Sequence, residues 1–451
     1  MHPELYVISD LHLCDGGKVE DFLPEDDAAL AAFLDSIKEA PGASLIINGD
    51  FMDFVQVQPD GGRHWFNEEL DASEEQSLRK LEEIMAAHPG VFDALGRFVG
   101  AGRALRFHYG NHDIDLVWPK IQARLRERLG RPGDEELISF GESKLVGGVY
   151  LEHGHQADKH INCFPEQPLL TKTGPDGIER LVRCWGTRFV EEFYNKIETL
   201  EGCGMLDNVR PRMPAAVIIL KYAILKPAMY PMLRDGLRVI LATLAELKTE
   251  QDLTNAASEL GVSRGVVQWV VKVARWLGVA PAPAAQAKSM FGAEQEPAPD
   301  AELTVPSLQR ASAEGEQIQS AEELAALAPD APAAESKDWF GPDAPAPVSP
   351  ELKKSLAYVR DEVLPAQPAA RAVCVGHTHL VTAEGVPIPG SAALYYNSGS
   401  WTMTLDLSEV PDASFGFIQD PANYRAGRDY LHVTWADDAA PQVANRQWGG
   451  A

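Results

Sequence analysis

Disulfide chemistry has little to work with in this chain. Its 451 residues hold five cysteines, an odd number, scattered as Cys14, Cys163, Cys184, Cys203 and Cys374 with no C-x-x-C pair. That pattern excludes a disulfide framework, argues against a structural zinc site, and suits free thiols in a reducing compartment. Cys374, inside the apolar run Ala372–Val375, reads as a small buried hydrophobe. Basic residues are also scarce: 40 Lys and Arg stand against 66 Asp and Glu, a net charge of −26. Nucleic-acid binding needs cations to displace counterions from phosphates, so this balance argues against it. Long uncharged apolar runs are missing too. The most apolar stretch, Pro214–Leu247, is broken by Lys221, Lys226, Arg234, Asp235, Arg238 and three prolines. A membrane span needs about 20 largely uncharged residues. The opening segment MHPELYVISDLH has no room for the apolar core of a secretory signal, so the expected location is the cytoplasm.

What is present is an ordinary globular composition, 45% apolar and 24% charged, enough for a sizeable core. The first third alternates strand and helix signals. Apolar runs Leu5–Ser9, Ser44–Asn48 and Ala104–Tyr109 read as buried strands, and Lys144–Gly154 as a hairpin whose second strand delivers His153. Helical spacing marks Asp27–Lys38, Ser77–Met85, Val91–Phe98 and, far downstream, Glu351–Val363 before the strand Ala372–Val375. Strands alternating with helices predict an α/β fold.

The rhythm divides the chain. Residues 1–165 and 351–451 carry the strand-then-polar pattern and form the expected core. Residues 166–280 are helix-favouring and read as an inserted cap or lid. Residues 281–350 are rich in Ala, Pro and Glu, with 12 acids against 3 bases, and are expected to be a disordered linker.

Each predicted strand of the core ends in a polar cluster, the usual place for a site in α/β folds. The clusters are Asp10-Leu11-His12, Gly49-Asp50 with Asp53, Gly110-Asn111-His112-Asp113, His153-Gly154-His155 and Gly376-His377-Thr378-His379. An Asp after a strand is more often a turn or helix cap, and D-x-H alone says little. The two histidine pairs change the balance. At spacing two along an extended segment, both rings of a pair share one face, and buried polar groups in such number are costly unless they are used. Carboxylate, imidazole and amide ligands without cysteine suit Mn, Fe or Zn as divalent ions.

The order D-x-H, GD-x-x-D, GNHD, HGH, GHTH resembles the calcineurin-like metallophosphoesterase superfamily, over the part up to about 165 and again from about 355. NSGSW (Asn397–Trp401) looks like the segment that follows GHTH in many bacterial members. The resemblance implies a four-layer fold, two mixed β-sheets packed face to face and flanked by helices. It implies a two-metal centre in which Asp10, His12 and His379 hold one ion, Asn111, His153 and His377 the other, and Asp50 bridges. His112 would stabilise the transition state or protonate the leaving oxygen, oriented by Asp113, with His155 behind the ligands. The implied activity is hydrolysis of a phosphomonoester, phosphodiester or pyrophosphate with two divalent ions, Mn first and Fe or Zn as alternatives. The implied partner is a phosphorylated small molecule or a nucleotide-linked substrate.

Two readings of the insertion stay open. Pro214–Leu247 fits a helical cap with its own core, or an apolar lid that contacts the membrane face peripherally and admits a lipid tail. The second is similar to UDP-2,3-diacylglucosamine hydrolases, although this chain has GNHD where they have GNRD and a far longer insertion. Ala257–Val270 fits a helix-turn-helix spacing, but its second helix offers Val266, Val267, Trp269, Val270 and Val271 where a DNA reader needs polar and basic side chains. It reads as a packed helical hairpin. Arg63, His64, Lys159, His160 and Arg188 are candidates for a distal phosphate. A scaffold that binds metal without catalysis is the remaining alternative.

Overall fold

The computed structural model describes residues 4–57, 72–130, 135–164, 171–237, 264–277 and 349–449, a few short gaps within those ranges excepted. The expected linker, 281–350, and residues 257–263 of the helix-turn-helix-like segment therefore lie almost wholly outside the described residues. So do Arg63, His64, His160 and Arg188. The chain forms two compact units, one of residues 1–188, 348–404 and 425–451, the other of 189–347 and 405–424.

The first unit contains two mixed sheets. Strands β1 (Glu4–Ile8), β2 (Ala43–Asn48), β3 (Ala104–His108) and β4 (Ile138–Gly141) run parallel in a six-stranded sheet. The strands Asp429–Thr434 and Gln442–Gln447 extend it antiparallel beyond β1. In the second sheet Ala372–Val375 is central, parallel to both β6 (Val149–Glu152) and Leu394–Asn397. The antiparallel strands β5 (Ser143–Val146) and Val386–Pro387 form its edges. The expected hairpin is β5–β6, closed by the pairing of Val146 with Val149.

Side chains alternate between sheet faces, and the buried clusters follow that period. Leu5, Val7 and Ile46 of the first sheet share one buried cluster with Val149, Leu151, Ala372 and Cys374 of the second. On the other face of the first sheet, Tyr6, Ile8, Leu45, Ile47 and Phe107 pack with Leu30, Phe33 and Leu34 of α1 (Pro24–Ile37). The same cluster takes in Leu81 and Ile84 of α2 (Glu74–Ala87), Phe92 and Phe98 of α3 (Pro89–Gly100) and Ile121 and Leu125 of α4 (Pro119–Leu129). Tyr150, Val373 and Val375, on the outer face of the second sheet, pack with Val359 and Val363. Strands buried on both faces read as continuous apolar runs, which is why they were visible in the sequence.

The helices have local reasons to start where they do. Pro24 opens α1, with Glu25, Asp26 and Asp27 in the first turn at the positive end of the helix dipole. Ser73 caps α2 by accepting the Gln76 N–H.

The loop between His12 and α1 and the first turn of α1 are both tied to the α2–α3 junction by one histidine. His88 Nδ1 lies 2.8 Å from Asp27 Oδ1 and its Nε2 3.2 Å from Glu20 Oε2. Burial alone would lower its pKa, but the two carboxylates outweigh that and push it up to about 9. The folded-state pKa lies above the usual value. The ring's contribution, on the order of 2–3 kcal/mol, is therefore fully present below about pH 6.5 and lost as pH rises through 9. Urea unfolding of wild type and His88→Gln should accordingly differ most near pH 6 and converge towards pH 9.5. A constant difference would refute the charge-paired role.

In the second unit the described helices include Asn195–Glu201, Arg212–Ile224 and Arg264–Trp276. Val266, Trp269 and Val273 of the last are buried. Tyr222 stacks on Phe415 with ring centroids 3.8 Å apart, and Tyr424 donates to the Met205 and Ile418 carbonyls. Among the described residues no helix is long and apolar enough to cross a membrane. Residues 166–188, read from sequence as part of the insertion, belong to the unit that holds the sheets. Thr187 explains part of that attachment, since its hydroxyl donates to the Asn111 carbonyl.

Candidate metal centre

The loops after β1, β2, β3, β6 and Ala372–Val375 bring the candidate residues together at the C-terminal ends of parallel strands. Three groups of side chains have ligand atoms within 4.8 Å of one another and could hold a metal ion. They are Asp10 with His12 and His379, His12 with Asp50 and His112, and Asp50 with His153 and His377. All of them are buried or nearly so.

The backbone there is unusual. Six described non-glycine residues have positive φ, and five of them are Asp10, His12, Asp50, His377 and His379. A side chain in this left-handed region costs about 1–2 kcal/mol, and such strain persists where the surroundings over-determine it, commonly at functional sites. The finding corrects the expected geometry of D-x-H and H-x-H. These pairs do not converge because an extended segment puts alternate residues on one face. In Asp10-x-His12 and His377-x-His379 each residue of the pair takes a left-handed turn. The first pair is held by neighbouring backbone: Asp10 N–H donates to the Gly49 carbonyl, and Leu11 and His12 N–H to that of Asp50. In His153-x-His155 only Gly154 is left-handed.

Two glycines are fixed by the same crowding. A Cβ on Gly49, whose φ is +90°, would overlap the His153 ring, and one on Gly110 would overlap the Asp50 carboxylate. The motifs GD and GN thus keep a glycine because a ligand occupies the space its side chain would fill.

Tautomers follow from the partners. His153 must donate Nδ1–H to the Asn48 carbonyl, 2.9 Å away, which turns Nε2 onto Asp50 Oδ2 at 2.9 Å with no hydrogen bond of its own. Two lone pairs at that separation repel unless a cation lies with them. A proton can serve: burial would lower the ring's pKa, but the Asp50 charge prevails and pushes it up to about 9. A metal ion would serve equally. His12 points Nδ1 at Asp53 (2.9 Å), leaving a buried Nε2 without a hydrogen-bond partner 3.9 Å from Asp50 Oδ2. Asn111 Oδ1 is likewise buried and without a partner. These atoms fit cation ligands better than any structural role, because orphaned buried acceptors are costly.

The carboxylates are ionised. Burial acts to raise Asp10, Asp50 and Asp53, yet the facing imidazoles, His379, His153 and His112 foremost, hold all three below the usual range. Asp10 also accepts the His377 N–H at 3.0 Å and the Ser9 hydroxyl at 2.5 Å. NSGSW clamps the surrounding loops. Asn397 Nδ2 donates to the Gly376 carbonyl and the Thr378 hydroxyl, and the Ser400 hydroxyl to the Asp10 carbonyl.

The structure redistributes two roles. Asp113 does not orient His112: its oxygens accept the Gly110 and Phe51 N–H groups at 2.6 and 2.8 Å, pinning the GNHD loop to the GD loop. Burial, reinforced by the Asp50 charge, pushes its carboxyl up to about 7. The ring is oriented by Asp53, whose Oδ2 takes His112 Nδ1 at 2.7 Å as well as His12 Nδ1. The other residue is Asp158. It accepts from His377 Nε2 at 3.0 Å, which fixes the tautomer of that ring. Lys354 Nζ and Asn162 hold it from behind. Such carboxylate–histidine pairs fix ring orientation and raise ligand basicity. Sequence reading missed Asp158. The available signal was a carboxylate five residues beyond His153.

His155 is 2% exposed, with its ring centroid 5.5 Å from that of His153, and belongs to none of the three groups. Burial, then the charge of His153, depresses its pKa, so the ring is neutral. Lys159 pairs with Glu362 and is engaged within the fold. Among known proteins, no protein-family model matches the chain, and no curated protein matches it.

Proposed function

We propose that the chain is a metal-dependent phosphoesterase of the calcineurin-like type, hydrolysing a phosphate ester or pyrophosphate with two divalent ions. The observation that carries the reading is the Asp50 carboxylate, whose Oδ2 lies between His153 Nε2 and His12 Nε2 at 2.9 and 3.9 Å, flanked by the groups built on Asp10–His379 and on His377. One carboxylate reaching two histidine-rich groups is the arrangement a shared bridge requires. Two sheets with a common buried layer and helices outside agree with the four-layer fold the resemblance implies.

Asp10, His12 and His379 would hold one ion, and Asn111, His153 and His377 the other. Bound there, the ions would supply an activated water and neutralise charge on the phosphoryl oxygens. The chain's own groups do the rest. Asp53 keeps the Nδ1 proton of His112 in place and favours the imidazolium, so Nε2 is the atom that can give a proton to a departing oxygen. Asp113 and Thr187 hold the GNHD loop that carries this ring.

Metal-stripped protein should gain turnover of bis(p-nitrophenyl) phosphate or p-nitrophenyl phosphate when Mn is returned, and its unfolding temperature should rise. At 100 times the dissociation constant the linked stabilisation is about 2.7 kcal/mol. Metal binding without turnover on either ester would favour the scaffold alternative. Absence of metal binding would defeat the proposal.

A further inference from the structure

A cavity of about 240 Å³ opens at the opposite ends of the same strands. Its lining comes from the N-terminal halves of β1, β2 and β3, with Ser139, the β5–β6 turn and Trp435. The small side chains Ser44 and Ala104 pair across β2 and β3 and leave the space open. Leu5, Ile46, Leu105, Val146 and Trp435 give it apolar walls.

Two cations reach this cavity, and no carboxylate answers either of them among the described residues. Arg106 donates to His108 Nε2 at 2.9 Å, to the Ser143 carbonyl at 3.1 Å and to the Ser139 hydroxyl at 3.4 Å, all neutral acceptors. His108 cannot become an anionic partner. Its Nδ1 donates to Asn48 Oδ1 at 2.7 Å, and burial with the Arg106 charge beside it keeps the ring neutral. Lys144 stands nearby, its pKa lowered by burial and by Arg106. A half-buried guanidinium without a counter-charge is costly, and unusual in a chain with 66 acidic residues to choose from.

We propose that this cavity is a binding site for a small organic carboxylate with a compact apolar or aromatic body, separate from the metal centre. The carboxylate takes the place of the missing counter-ion at Arg106 and Lys144, where charge-assisted bonds are strongest. The body lies against the apolar walls and Trp435. The site also touches the metal centre indirectly: His108 bonds Asn48, and the Asn48 carbonyl holds His153 Nδ1.

Benzoate is a suitable probe, titrated calorimetrically into the full-length protein beside phenol as its uncharged counterpart. Benzoate should bind at one site per chain, weaken with salt, and exceed phenol by about tenfold or more. Lys144→Gln should lessen the salt dependence, Arg106 remaining, and remove about tenfold of the affinity. Ala104→Leu, a substitution at an exposed position that fills the cavity, should abolish binding. Both variants should bind Mn as wild type does, which separates this site from the proposed hydrolase. Absent benzoate binding, equal binding of phenol, or affinity unchanged in both variants would overturn the assignment.

Discussion

Asp50→Asn should remove phosphoester hydrolysis by on the order of a thousandfold or more while leaving a folded protein. A group that stabilises transition-state charge is commonly worth two to three orders of magnitude, and here the same substitution also removes the shared cation ligand. The fold should survive for a stereochemical reason. Asp50 Oδ1 accepts the His112 N–H at 2.9 Å, a bond that an asparagine oxygen can keep. The amide nitrogen then faces His153 Nε2 and donates to the neutral ring, replacing the ion pair that the protonated ring makes with Asp50 in the metal-free wild type. Without metal the variant exchanges a buried ion pair for a neutral hydrogen bond, so its stability should stay close to that of wild type. With Mn wild type should become the more stable, because only wild type gains the linked stabilisation. Thermal unfolding of both proteins with and without Mn, beside turnover, separates this expectation from simple misfolding. A variant that still gains stability from Mn and turns over at a wild-type rate would remove Asp50 from the centre of the site.

Much of the fold was legible because its strands are buried on both faces. Such strands are apolar without interruption, as in Leu5–Ile8 and Ala372–Val375, and they stop abruptly at a polar cluster. The C-terminal strands were not legible for the complementary reason. Gln442–Gln447 is an edge strand whose six residues are all exposed or half-buried, so neither an apolar run nor a sharp alternation marks it. Helix α4 was missed where charge masks the pattern: Ile121, Leu125 and Leu129 are its buried positions, set among three arginines. At the site, the seven proposed ligands were readable from residue type and position after a strand. Their support was not. Which carboxylate holds which ring depends on loops meeting in space, and neighbours in sequence mislead. Asp113 adjoins His112 yet turns back to the backbone, while Asp53, 59 positions away, holds the ring.

That exchange of roles leads to a paired experiment. Asp53→Ala should cost about 10–100-fold in metal affinity, because His12 loses the partner that fixes its tautomer. Turnover should fall further, by about 100-fold or more at saturating metal, because His112 loses the carboxylate that favours its imidazolium. Turnover of the poorer leaving group should suffer most, and the pH profile should shift towards acid as the ring pKa drops. Asp113→Asn should behave differently. One of its two backbone N–H acceptors becomes a donor facing a donor, so the cost of about 1–3 kcal/mol appears in stability. Metal affinity and the pH profile of the protein that remains folded should stay close to wild type. The opposite result, a shifted profile for Asp113→Asn and none for Asp53→Ala, would restore the role that adjacency in the sequence suggested. A shift for neither would mean that His112 does not deliver the proton, and that the departing oxygen is stabilised by the metal centre alone.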